Sequence, residues 1–122
     1  MPFATLRYRP GCMPNKSLEK LVKVLTHIIA EALDAPKDQG NRLTPERIEL
    51  KVEEGNPLDQ NCKDIHLVVW GHNYPARLAN QDVRVNAIRG AIRVFFSDYD
   101  YSVSWSVHLN LCSMEYAENP RS

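Results

Sequence analysis

Pro2 stands directly behind Met1 at the head of an alternating stretch, and its nitrogen is the first group in the chain with chemistry to offer. Removal of the initiator before a small second residue would leave Pro2 as a free secondary amine. A free α-amino group has a pKa of roughly 8, and partial burial lowers it toward neutrality, so such a nitrogen can act as a general base. A base of this kind needs a cation nearby to hold the negative charge that develops. Arg7 and Arg9 are close in sequence, but side chains alternate along a strand. Pro2 shares the face of Ala4, Leu6 and Tyr8, opposite both arginines. Aromatic side chains on strands, here Tyr8, Trp70 and Trp105, are candidates for an apolar pocket wall, although such residues more often belong to the core.

The 4 histidines offer no chelating set. His66 and His72 share a strand face but stand six positions apart, roughly 20 Å at strand rise, so they could share an ion only through symmetry mates around a channel. No metal and no cofactor is expected. Cys12, Cys62 and Cys112 are odd in number, far apart and without a CxxC pair. They read as reduced thiols of a cytoplasmic protein, not as a disulfide framework, a zinc site or a flagged nucleophile.

These groups must be positioned by an alternation of strands and helices. A first strand, Pro2 to Arg9, is broken by Pro10, Gly11 and Pro14, and Asn15 is placed to cap a helix. That helix carries Leu18, Leu21, Val22, Leu25, Ile28, Ile29, Ala32 and Leu33 as one apolar stripe, and Pro36 stops it. After a polar loop comes a second strand, with Ile48, Leu50 and Val52 alternating with Glu49, Lys51 and Glu53. Glu54 to Lys63 reads as a long turn. A third strand runs from Asp64 to His72. Pro75 and Asn80 introduce a second helix with Val85, Ile88, Ala91, Ile92, Phe95 and Phe96 on its apolar face. A fourth strand, Ser102 to Cys112, alternates most strictly.

The order is β-α-β twice, which predicts an α+β fold in one domain, 1–122, with pseudo-repeats of about 1–60 and 61–122. Both helices should cover one side of a four-stranded sheet. The other side would carry Arg7, Arg9, His66, His72, Ser104, Ser106 and His108 with Val68 and Trp70, a mixed surface that suits an oligomer interface or a polar channel. On helix two, Arg84, Arg89 and Arg93 read as a solvated stripe. Lys plus Arg and Asp plus Glu are 15 each, so the basic excess of a nucleic-acid binder is absent. No apolar run reaches the roughly 20 residues of a membrane span, and no signal-peptide pattern opens the chain.

With these elements in place the chain resembles the tautomerase superfamily, the group of 4-oxalocrotonate tautomerase and macrophage migration inhibitory factor. Pro2-Phe3-Ala4 through Gly11 is similar to that family's first strand and turn. Leu33-Asp34-Ala35-Pro36 resembles the end of its first helix, and Leu43-Thr44-Pro45-Glu46-Arg47-Ile48 its entry into the second strand, with about six residues inserted between the two. The resemblance implies Pro2 as catalytic base, Arg47 as the substrate-binding arginine and a homotrimer. Proton transfer on an enol or 2-keto acid would follow, with a small-molecule carboxylate as substrate.

Two departures stand beside the match. Cys12 occupies the position of a second carboxylate-binding arginine, which Lys16 at the start of helix one could replace. The family's glycine-rich hairpin gives way to Glu54 through Gln60. Tyr8 and Trp105 remain the pocket-wall candidates, and Glu115 and Tyr116 lie where some relatives carry an activating acid. Two other readings stay open: a non-catalytic trimer of the same fold serving ligand binding or assembly, and a ferredoxin-like binding module. The third strand lacks the aromatic and basic signature of the RNA-binding version of that module.

Overall fold

In the computed structural model, which describes residues 2–98 and 102–114, the alternation of the first strand becomes β1, Phe3–Tyr8. Its even-numbered residues Ala4 and Leu6 are 1% and 0% exposed, so the apolar face is fixed inward. The chain then forms α1 (Asn15–Leu33), α2 (Pro36–Gln39), a 3-10 turn (Pro45–Arg47), β2 (Glu49–Glu54), β3 (Ile65–His72), α3 (Pro75–Ala79), α4 (Gln81–Ser97) and β4 (Trp105–Cys112). The expected elements are present, with trimmed ends and three short helical segments that carry too few residues for a periodic signal. Asn15 is the first residue of α1 and not its cap. Pro14 occupies the cap position, and no side chain caps that end. Pro36 ends α1 and also opens α2, where a proline in the first turn loses no hydrogen bond. Ser102, Val103 and Ser104 stand outside β4.

The four strands form one mixed sheet in the order β2-β1-β3-β4. β1 pairs in parallel with β2, from Phe3 opposite Glu49 to Tyr8 opposite Glu54. The central pair β1–β3 is antiparallel, with Leu6 opposite Leu67, and β4 runs parallel to β3. α1 and α4 cover the inward face through Leu21, Leu25, Ile29, Leu33, Ile88 and Ile92, packed on Leu6, Leu67 and Val69. No helix among the described residues is long and apolar enough to cross a membrane.

The C-terminal end of α1 has no basic residue of its own in the last turn, although a helix leaves its final carbonyls without intrahelical partners. Two distant arginines supply the donors. Arg77, 1% exposed, donates from Nε to the Leu33 carbonyl at 2.9 Å and from Nη1 to the His72 carbonyl at 3.1 Å. Arg84 donates from Nη1 to the carbonyls of Ala32 and Asp34, both at 3.0 Å. Arg84 is therefore half-buried and engaged, unlike the exposed Arg89 and Arg93 with which its helical spacing grouped it. Its helix packs against the end of α1, which spacing along one helix cannot reveal.

Candidate functional site

Pro2 is buried at the head of β1, and its carbonyl accepts the Glu49 N–H at 3.3 Å. Continuing the register by one residue sets Pro2 between Ile48, just before β2, and Gly71 on β3. Arg47 directly precedes Ile48. It closes the 3-10 turn that Pro45 opens, with its own N–H on the Thr44 carbonyl at 3.0 Å. The segment before that turn is fastened by Asp34, whose carboxylate accepts the Leu43 N–H at 2.9 Å. Leu43 and Ile48 are buried on either side. The backbone around Arg47 is thus fixed, while its side chain is exposed and makes no ion pair or hydrogen bond among the described residues.

Of the three aromatic candidates only Trp70 stands at this end, joined by Phe3. Phe3 and Trp70, opposite each other across β1 and β3, stack at 4.7 Å between ring centroids and 15° between planes. Their pair lies on the uncovered face, with Glu49 and Asn110 completing the row. Beyond β3, the Tyr74 ring stands 4.7 Å from His72 and carries the Arg77 guanidinium at 4.9 Å. Burial is the main reason that guanidinium is held below its usual pKa, with Tyr74 acting the other way. His72 accepts the Met114 N–H on Nδ1 at 3.2 Å, so the neutral ring carries its proton on Nε2.

Tyr8, Trp105 and Lys16 do not join this group within one protomer. Tyr8 and Trp105 flank Ile65 at the opposite end of the sheet, and both rings pack on the core beneath the helices. Lys16 is exposed at the first turn of α1, which follows the far end of β1. Six residues of strand span about 20 Å, so these three belong to the other end of the molecule. Glu115 and Tyr116 lie outside the described residues. Cys12, Cys62 and Cys112 are free thiols. Cys12 is half-buried, and burial, followed by the charge of Asp64, raises its thiol above the ordinary range.

Sequence reasoning missed the Phe3–Trp70 stack and the buried Arg77. Alternation placed Phe3 and Trp70 on one face, but only the antiparallel register brings them together. Arg77 has no flanking pattern at all. The same uncovered face holds a second ring pair, His66 and His108, at 5.0 Å and nearly perpendicular. Burial, then His108, then Arg7 push the His66 imidazole below its ordinary value.

No protein-family model matches the chain, and no curated protein matches it in sequence. Solved structures match in shape. A protein described as native Ps01740 superposes with a TM-score of 0.60 at 12% identity, over 96% of this chain and 99% of that one. Macrophage migration inhibitory factor from Oncomelania hupensis superposes with a TM-score of 0.53 at 14% identity, over 96% of this chain and 81% of that one. The shared property is the tautomerase-type fold: a four-stranded mixed sheet with helices packed on one face.

Proposed function

We propose that this tautomerase-fold chain is a small-molecule enzyme that moves a proton on an enol or 2-keto acid. Pro2 is the general base and Arg47 the carboxylate anchor. The observation that carries the reading is the fastening of the Arg47-Ile48 segment beside the head of β1 through the Glu49–Pro2 hydrogen bond. The mechanism requires removal of Met1, which turns the Pro2 nitrogen from an amide into an amine. Burial of that amine lowers its pKa toward neutrality, and a guanidinium nearby lowers it further. Arg47 then holds a carboxylate beside the reacting carbon through a charge-assisted fork.

Assembly as a homotrimer in the cytoplasm completes the reading. The uncovered sheet face, with Phe3, Val68 and Trp70 among polar groups, supports an interface between copies. Three free thiols suit a reducing compartment, and the balanced charge lacks the basic excess of a nucleic-acid binder.

The test is ketonisation of phenylenolpyruvate by untagged protein whose mass shows Met1 removed. Pro2→Ala should lower the rate by about 10²-fold or more, and Arg47→Lys should weaken turnover because an ammonium lacks the planar fork. Equal rates for Pro2→Ala and wild type, or for protein retaining Met1, would refute the base. A specific observation favours a second reading. Pro2 is buried in the protomer and the open sheet face is a mixed surface, which suits a non-catalytic trimer. That reading predicts trimers by sedimentation equilibrium with no turnover of any enol.

A further inference from the structure

The antiparallel pairing of Leu6 with Leu67 sets a local twofold axis between those residues, perpendicular to the sheet. The axis carries Ala4 onto Ile65, and the position of Pro2 onto Lys63. The parallel outer strands obey it too, since β2 flanks β1 as β4 flanks β3. The chain therefore has two related sheet ends, and the second end is not occupied by packing. A cavity of about 320 Å³ opens there between the ends of β1 and β2 and the start of β3. Its walls include Arg7, Arg9, Asp59, Lys63 and His66, with Pro10 and Pro57 adding apolar surface.

The rim is built by specific bonds. Gly55 donates its N–H to the Tyr8 carbonyl at 2.7 Å. A Cβ at Gly55 would stand 3.1 Å from that same oxygen. Asp59 accepts the Asn56 N–H at 3.0 Å and receives a fork from Arg7, Nε at 3.0 Å and Nη2 at 2.9 Å to Oδ2. These bonds turn the 55–63 loop back over the sheet end.

The cations around the cavity are not equally engaged. Arg7 is matched by Asp59 at 2.9 Å, Arg9 by Asp64 at 2.8 Å, and Lys51 by Glu53 at 3.6 Å. Lys63 is in no ion pair or hydrogen bond among the described residues. The Nη1 edge of Arg7 has only the Glu53 carboxylate at 3.7 Å, beyond hydrogen-bond reach. Lys63 and Arg7 both line a cavity that also offers His66 and apolar walls.

We propose that this cavity is a second ligand site, separate from the Pro2 end, which takes a small monocarboxylate with an apolar body. Lys63 and the Nη1 edge of Arg7 hold the carboxylate, and Pro10 and Pro57 contact the body. A monoanion matches Lys63, the one cation lining the cavity without an ion pair among the described residues, and the Arg7–Asp59 fork already demonstrates the carboxylate geometry that this guanidinium accepts. A volume of this size lies at the small end of ligand pockets. The site does not depend on the function proposed for Pro2.

The experiment is an amide NMR titration of the full chain with sodium benzoate at fixed ionic strength, with inorganic phosphate as comparator. Saturable shifts are expected at Gly55, Asn56, Lys63 and His66. Lys63→Gln should weaken the apparent affinity by about tenfold, the loss of one charge-assisted contact, and Lys63→Arg should restore it. Lys63 is exposed, so both variants fold, and their undisturbed spectra will show it. Arg47→Gln should leave the titration unchanged. Shifts that do not saturate, that persist equally in Lys63→Gln, or that centre on Arg47 and Phe3 would overturn the proposal. So would phosphate binding as tightly at the same amides, because bare charge attraction would then explain the result.

Discussion

Replacing Arg77 by Met tests whether a buried cation holds the two halves of the fold together. The guanidinium is 1% exposed and bonds the Leu33 and His72 carbonyls while resting on the Tyr74 ring. Met retains most of the side-chain volume, so no large cavity opens. Each carbonyl deprived of its donor inside the protein costs about 1–3 kcal/mol, and loss of the desolvated cation–π contact costs about 1–2 kcal/mol more. Against this, Met need not be stripped of water as a guanidinium must, a cost of several kcal/mol per buried ion. The balance is a destabilisation of about 2–4 kcal/mol, a large part of the 5–15 kcal/mol typical of a domain. Urea unfolding followed by tryptophan fluorescence, at one fixed protein concentration, measures it. Arg77→Lys should fall between the two, since an ammonium keeps the charge but cannot reach both carbonyls in one plane. A Met variant within 0.5 kcal/mol (roughly the scatter of neutral surface changes) would refute the reasoning, and a more stable one would show that desolvation dominates.

Gly71→Ala should cost about 1–2 kcal/mol by overpacking, because its Cβ would meet Leu111 at 3.3 Å, Arg77 at 3.4 Å and Leu33 at 3.5 Å. The same unfolding assay reads it, and an unchanged midpoint would mean that those side chains have room to move. His66 titrates below its ordinary value of about 6.5. The unfolded chain therefore takes up a proton before the folded one, and stability is full above about pH 6.5 and declines as pH falls through the folded value. His66→Asn should flatten that part of the profile, and a wild-type profile without any decline would refute the sign. Cys12 should react with iodoacetamide more slowly than the exposed Cys62 and Cys112, because its thiol is half-buried and its pKa raised. Equal alkylation by peptide mass mapping would contradict that placement.

Much of the fold was legible because burial forces periodicity. Ala4, Leu6, Leu67 and Val69 alternate, and Leu21, Leu25 and Ile29 recur at helical spacing, since one face of each element meets the core. The open sheet face was likewise readable from Arg7, His66, Trp70 and His108. Pairings between elements were not. Nothing local to Arg77 or Arg84 says that each will donate to a helix end 44 or 52 positions away. Tyr8 and Trp105 looked like pocket walls because an aromatic on a strand reads the same whether it faces a ligand or a helix. The 54–63 stretch was recognised as a turn, but its folding back through Gly55 and Asp59 to make a cavity depends on contacts with β1. Pro2 and Arg47 were linked by family resemblance alone, and the register of β1 with β2 is what sets their segments side by side.

The strand order also constrains how the chain can be synthesised. β1 is a central strand, yet its antiparallel partner β3 lies 61 positions further on, as Leu6 opposite Leu67 shows. While the ribosome is still extending the chain, the emerging β1-α1-β2 segment has one bare strand edge in its middle and a helix whose final carbonyls lack donors. Neither defect can be repaired from within that segment, because Arg77 and Arg84 come later still. A bare central edge is an invitation to pair with another nascent chain. Productive folding should therefore be a late, concerted event, governed by closure of the long loop between β1 and β3, and slower than its helical content alone would suggest.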